Sequence, residues 1–226
     1  NKDIMSGESY CMNLSRNNHL SNRVFIISQP KAGTYLMANI LMELGYSTGN
    51  IDTFEGIKHI SRGKVETYPL PGCEGFEEAR KFPERYRLYQ GFARSVGTIL
   101  KGEFAVGHVT PMEGVCHLKI RNFRKIFLER SPHDIEQSLL RWDSYSGRSP
   151  SNKKRVLRQA ELILEWKRRP EYHGTGGLFA LTFDDMKNYN VEKIDQLQKY
   201  LGIVDLYDSK SVLQKALSKD SVTKVK

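Results

Sequence analysis

The chain has 226 residues, 39% of them apolar and 27% charged, which is the balance of one ordinary globular domain and excludes a disordered or fibrous chain. A chain of this length buries roughly 70% of the surface its unfolded form exposes, so it needs neither disulfides nor metal to hold a core. The net charge of +9 points to an anionic ligand, a nucleic acid or an acidic surface without choosing among them. Cys11, Cys73 and Cys116 stand far apart with no CxxC pair, which argues against a disulfide framework or a zinc site and for a reducing, cytoplasmic setting. No signal peptide or membrane span is expected.

Residues 1–22 are polar and read as an irregular arm. Residues 24–27, Val-Phe-Ile-Ile, predict a short buried strand. A tight turn over 29–33 follows, then apolar residues at helical spacing over 34–44, stopped by Gly45. The opening is therefore strand, glycine-containing loop, helix. A helix is expected near 54–60, and a two-piece helix over 76–92 in which Pro83 breaks or starts the second piece. Residues 104–108 predict a second strand, 113–123 a helix and 125–128 a third strand. Pro132 at the first helical position opens a helix to about Trp142. Residues 144–154 read as a polar loop, either lid or connector, and 155–169 as a strongly charged helix. A fourth strand over 178–182 and a closing helix over 191–201, capped by Gly202, complete the pattern. Strands alternating with helices predict an α/β fold, a single domain with a parallel β-sheet flanked by helices. In such sheets ligands bind beyond the carboxyl ends of the strands.

Three strands end in chemically useful residues: Lys31 after the first, His108 on the second, Arg130 after the third. A strand that passes through a small-residue turn into a helix presents backbone N–H groups that suit phosphate. Lys31 adds a charge and Thr34 a hydroxyl. The loop does not match the GxxxxGK[ST] pattern, because Lys31 comes two residues before Gly33. Past the third strand, Arg130 suits a bidentate grip on phosphate, and the Ser138 hydroxyl can donate to the same group. The alternative reading is a charge cluster at a helix start, with Asp134 favouring the dipole.

Pro30-Lys-Ala-Gly-Thr34 resembles the 5′-phosphosulfate loop of the PAPS-dependent sulfotransferases, P-K-[ST]-G-[ST]-[ST]-W. Arg130-x-Pro-x-Asp-x-x-x-Ser138 resembles the 3′-phosphate motif of that family. Gly107-His-Val-Thr-Pro111 resembles the strand end that carries the family's catalytic histidine. Leu181-Thr-Phe-Asp-Asp-Met186 resembles its [YF]-[ED]-D-[LM] segment, and 191–202 the helix after it. The resemblance covers roughly residues 22–204. Departures are Ala32 and Tyr35 in place of hydroxyl residues, Leu36 in place of tryptophan, and Val106 in place of a lysine. The family's C-terminal R-K-G-x-x-G-x-W-[KR] segment is expected to be missing from this chain, which ends at Val222-Thr-Lys-Val-Lys226.

The resemblance implies a P-loop-NTPase-like three-layer sandwich over residues 1–226. It implies transfer of a sulfuryl group from PAPS, leaving PAP, to a small-molecule hydroxyl or amine acceptor, without metal. Lys31 would neutralise the leaving oxygen, and the backbone from Ala32 through Gly33 and Thr34 to Tyr35, with the Thr34 hydroxyl, would hold the 5′-phosphate. Arg130 and Ser138 would hold the 3′-phosphate, Phe183 would pack on the adenine, and His108 would take the acceptor's proton. Glu113 is the back-up base and Glu55 a weaker one. His59, His117 and His133 read as surface or packing residues. Tyr86, Tyr89 and Phe92 read as core, and the basic runs 153–155 and 167–169 as solvated helix faces. Competing readings are a P-loop phosphotransferase, such as a small-molecule or nucleotide kinase, and a PAPS-binding protein without turnover. A nucleic-acid binder rests on the charge alone, with no recognition signature, so neither nucleic acid nor membrane is expected as a partner.

Overall fold

Strand β1, Val24–Ser28, is buried at all five positions, a pattern that fits the centre of a parallel sheet covered on both faces. The structure is a computed structural model and describes residues 20–47, 96–97, 99–111, 116–146, 153–203 and 206–219. Four strands form the sheet: β1, β2 (Phe104–Gly107), β3 (Arg124–Glu129) and β4 (Leu178–Thr182), in the order β2-β1-β3-β4. Every neighbouring pair is parallel, with Ile27 beside Gly107, Ser28 beside Leu128, and Glu129 beside Thr182. The chain leaves β1 to one side for β2 and returns to the other side for β3. That reversal places a crevice at the carboxyl ends of the central strands.

Alternate residues of each strand feed two separate cores. Val24, Ile26, Val106, Ile126, Leu128 and Leu181 face one side, while Phe25, Ile27, Ala105 and Phe127 face the other. The first side is covered by α1 (Thr34–Glu43), α7 (Val191–Leu201) and α8 (Ser209–Lys219), with Met186 from α6 (Phe183–Lys187). The second is covered by Ile120, Phe123, Ile163 and Trp166, from the segment after α2 (Cys116–Lys119) and from α4 (Lys153–Ile163) and α5 (Glu165–Arg168). Helix α3 (Pro132–Ser146) packs on α4 through Ile135, Leu139 and Ala160. The three-layer α/β class expected from the sequence is the one observed. Among the described residues no helix is long and apolar enough to cross a membrane.

Several predicted boundaries move, each for a physical reason. The helix expected over 155–169 begins at Lys153 and breaks at Leu164, whose N–H bonds to the Glu161 carbonyl at 3.1 Å, a tightened turn. The helix expected over 113–123 spans only Cys116–Lys119 within the described residues. Beyond it the chain tightens into three-residue turns, with the Arg121 N–H on the Leu118 carbonyl at 3.3 Å and the Phe123 N–H on the Ile120 carbonyl at 3.0 Å, while the Arg121 and Phe123 carbonyls accept from the Lys125 ammonium at 3.1 and 3.0 Å. The loop expected over 144–154 is shorter at both ends, since α3 runs to Ser146 and α4 starts at Lys153. His108 sits just past β2 rather than on it. Two helices went unpredicted, α6 and α8. The helices expected near 54–60 and 76–92, the arm up to residue 19, and Glu55, His59, Tyr86, Tyr89, Phe92 and Glu113 lie outside the described residues.

Lys125 is fully buried on β3, and its ammonium also donates to the His173 carbonyl at 2.6 Å. Burial, with help from the Arg124 charge, pushes its pKa down to about 8, so it still carries its proton at neutral pH. Three carbonyls match the three donors of an ammonium, which is why this charge is tolerated in the sheet. Lys125→Met leaves those carbonyls without their donor and is expected to lower the unfolding free energy by about 2 kcal/mol in a denaturant titration. An unchanged midpoint would contradict that assignment.

Candidate functional site

The loop from Gln29 to Gly33 turns β1 into α1 through two left-handed residues, Lys31 at φ 61° and Gly33 at φ 87°. For a lysine this conformation costs about 1–2 kcal/mol, so the surroundings must hold it. They do, since the Arg130 guanidinium donates from Nη1 to the Lys31 carbonyl at 2.8 Å. Gly33 is required twice over. Besides its φ, a Cβ there would stand 2.6 Å from Cδ2 of Phe183 and 3.1 Å from Cε of Met186. No side chain caps α1, so the N–H groups of its first turn face the loop as a helix start leaves them. Left-handed residues alternating along such a loop turn successive N–H groups toward one point, which is an anion-binding geometry.

Arg130 is the joint of the site. It begins the connection from β3 to α3, and its guanidinium carbon lies 4.1 Å from the centre of the Phe183 ring. Its Nε is buried and has no hydrogen-bond partner among the described residues. A buried cationic donor left unpaired is costly, and an anion at that point would relieve it. Burial works against the Arg130 charge, Asp134 and Asp184 work for it, and Arg141 works against it. A cavity of about 380 Å³ opens beside Arg130, walled by Gln29, Ile135, Leu157, Ala160 and Phe183. Lys31, His108 and Ser138 do not line it.

His108 follows β2 and keeps part of its surface exposed. Its Nδ1 lies 2.7 Å from the Ser28 carbonyl. A carbonyl only accepts, so Nδ1 carries the hydrogen and the neutral ring presents its lone pair on Nε2. Burial pushes the His108 pKa below the ordinary imidazole value, and the Lys31 ammonium pushes the same way, against the Ser28 hydrogen bond. The ring is therefore neutral at pH 7. Below an unfolded pKa of about 6.5 the unfolded chain takes up this proton first, so this contribution to stability falls as pH drops through that value. Gln159 of α4 donates to the His108 carbonyl at 3.2 Å, and Trp166 of α5 to the Val109 carbonyl at 2.8 Å.

Ala32 is fully buried in the core beneath α1, which explains a methyl in place of a hydroxyl. Its N–H is used within the turn, on the Gln29 carbonyl at 3.2 Å. Ser28 Oγ donates to the Gln29 carbonyl at 2.8 Å, so Thr34 Oγ1, 2.8 Å from it, is the donor in that pair. The Thr34 proton thus holds the loop and does not point to a ligand. Leu36 is buried in the core, and Tyr35 is partly buried against it. Val106 is core as well. Phe183 carries Arg130 on its ring. Ser138 is half-buried on α3, one turn beyond Asp134, and no hydrogen bond joins it to Arg130. Missed by the sequence reading were Gln29, whose buried side chain bonds Arg130 and α4, and Gln159. A polar residue directly after a buried strand was the available signal for Gln29.

No protein-family model matches the chain, and no curated protein matches it by sequence. Among solved structures it is similar to a crystal structure of mouse sulfotransferase SULT7A1 complexed with PAP, at a TM-score of 0.49 and 18% identity. The match covers 94% of this chain and 70% of that one.

The contact between Phe183 and the loop is open to a direct test. Gly33→Ala is expected to lower the unfolding free energy by about 2 kcal/mol, part conformational and part steric. Combined with Phe183→Ala, the same substitution should cost less, because the steric part is gone. Equal costs in the two backgrounds, measured by denaturant unfolding, would show that the ring does not press on the loop.

Proposed function

We propose that this chain is a PAPS-dependent sulfotransferase acting on a small hydroxyl or amine acceptor. The observation that carries the reading is Arg130, half-buried with its Nε buried and unpartnered among the described residues, and hydrogen-bonded to the loop in which Lys31 and Gly33 are left-handed. One side of that pair suits a 5′-phosphate and the other a second, separate phosphate, which is what distinguishes a 3′,5′-bisphosphate from ADP-like ligands.

PAPS supplies the activated sulfuryl group, which passes to the acceptor oxygen or nitrogen as its bond to the 5′-phosphate oxygen breaks. The chain's contribution is positioning and charge. Backbone N–H groups at the start of α1, around Gly33, Thr34 and Tyr35, hold the 5′-phosphate, with Thr34 and Ala32 shaping the turn. Lys31 stabilises the negative charge left on the departing oxygen. Arg130 holds the 3′-phosphate, and Ser138 reaches it only if the ligand extends along α3. Phe183 supports Arg130 and offers its edge to the adenine. His108, with Nδ1 tied to Ser28, takes the acceptor's proton on Nε2. Its lowered pKa keeps the base form available at neutral pH.

Turnover of PAPS with phenol, alcohol and amine acceptors, followed as PAP formation, tests the reading. For an acceptor that is turned over, His108→Asn is expected to cut kcat by about 10²–10⁴-fold, the range of a lost general base, with PAP affinity unchanged. The acid limb of kcat/KM should lie below the ordinary imidazole value of about 6.5 and vanish in His108→Asn. An acid limb above that value, or full activity in the variant, would remove His108 from the mechanism.

A further inference from the structure

Gln29 has no part in the chemistry above, yet its side chain bridges two elements that wall the crevice. It is the first residue after β1 and is 2% exposed. Its Oε1 accepts from the Arg130 backbone N–H at 2.9 Å, and its Nε2 donates to the Ala160 carbonyl at 2.7 Å. Only one amide orientation satisfies both partners, since an N–H can only donate and a carbonyl only accept. The Ala160 carbonyl is available because α4 tightens at Leu164, whose N–H goes to Glu161 instead. The helix break missed by the sequence reading therefore supplies Gln29 with its acceptor.

These bonds close a ring. The Gln29 side chain holds the Arg130 backbone, and the Arg130 side chain holds the Lys31 carbonyl at 2.8 Å, two residues along from Gln29. The spacing between the glycine loop and the Arg130 guanidinium is thus fixed by a closed circuit. We propose that Gln29 is a positioning residue that sets the distance between the loop and Arg130, and thereby the preference for a nucleotide carrying both 3′- and 5′-phosphates. This rests on the functional reading above. An apolar side chain at position 29 would leave the Arg130 N–H and the Ala160 carbonyl buried without partners, and the connection after β3 would relax toward other acceptors.

The test is calorimetric titration of the full chain and of Gln29→Met with two probes, 3′,5′-ADP and 5′-AMP, which differ by the 3′-phosphate. The expected result is that the ratio of the two Kd values falls by about tenfold or more in the variant, the order of loss that partners behind a binding residue cause. Affinity for 5′-AMP should change little. A merely structural role would weaken both ligands in parallel and leave the ratio as it was, which would overturn the proposal. Should Gln29→Met fail to fold, Gln29→Asn takes its place with the same two outcomes, because its amide is one methylene too short to span both partners. A wild-type protein with no preference for 3′,5′-ADP overturns the functional reading itself, and this inference with it.

Discussion

The backbone of a strand buried on both faces must find partners where the strand ends, and at the carboxyl end of β1 those partners are the site. The Ser28 carbonyl takes a hydrogen bond from His108, the Gln29 carbonyl from Ser28 Oγ and the Ala32 N–H, and the Lys31 carbonyl from Arg130. Buried backbone groups left unpaired cost as much as a lost hydrogen bond or more. Residues suited to base, cation and anion-binding roles are therefore held in place by the same bonds that let β1 terminate. Folding stability and site geometry are one requirement here, which is why a left-handed lysine persists in the loop.

The arrangement also sorts charge. Arg141 works against the Arg130 charge and Lys31 against a charge on His108, while the carboxylates of Asp134 and Asp184 offset Arg130. His108 responds by staying neutral, and its fixed Nδ1 hydrogen leaves Nε2 as the basic atom. The Nε of Arg130 is a further buried donor here, without a partner among the described residues.

Much of this was legible in the sequence because it depends on local chemistry. Short β-branched runs gave the strands, Gly45 and Gly202 marked helix ends, and Pro132 a helix start. The placement of Lys31, His108 and Arg130 was legible, because residues just beyond parallel strands gather at one edge of the sheet. What could not be read depends on partners distant in sequence. The break at Leu164 belongs with Gln29, 131 residues from the Ala160 carbonyl it bonds. The bond from the Thr34 hydroxyl to Ser28 Oγ carries no sequence signal of its own. Helix α8 is marked in the sequence by Asp208 before it and by buried Val212, Leu213 and Ala216 at helical spacing, but it carries no motif.

The central claim is that two phosphate sites are held at a fixed spacing across the carboxyl edge of the sheet. The most direct measurement is the shift in melting temperature produced by 3′,5′-ADP, by 5′-ADP and by ATP with Mg²⁺. A ligand that binds only the folded state, at 100 times its Kd, adds about 2.7 kcal/mol, which is easily seen as a shift. Stabilisation by 3′,5′-ADP well beyond the other two is the predicted result. Greater stabilisation by ATP with Mg²⁺, or none by any of the three, would contradict it.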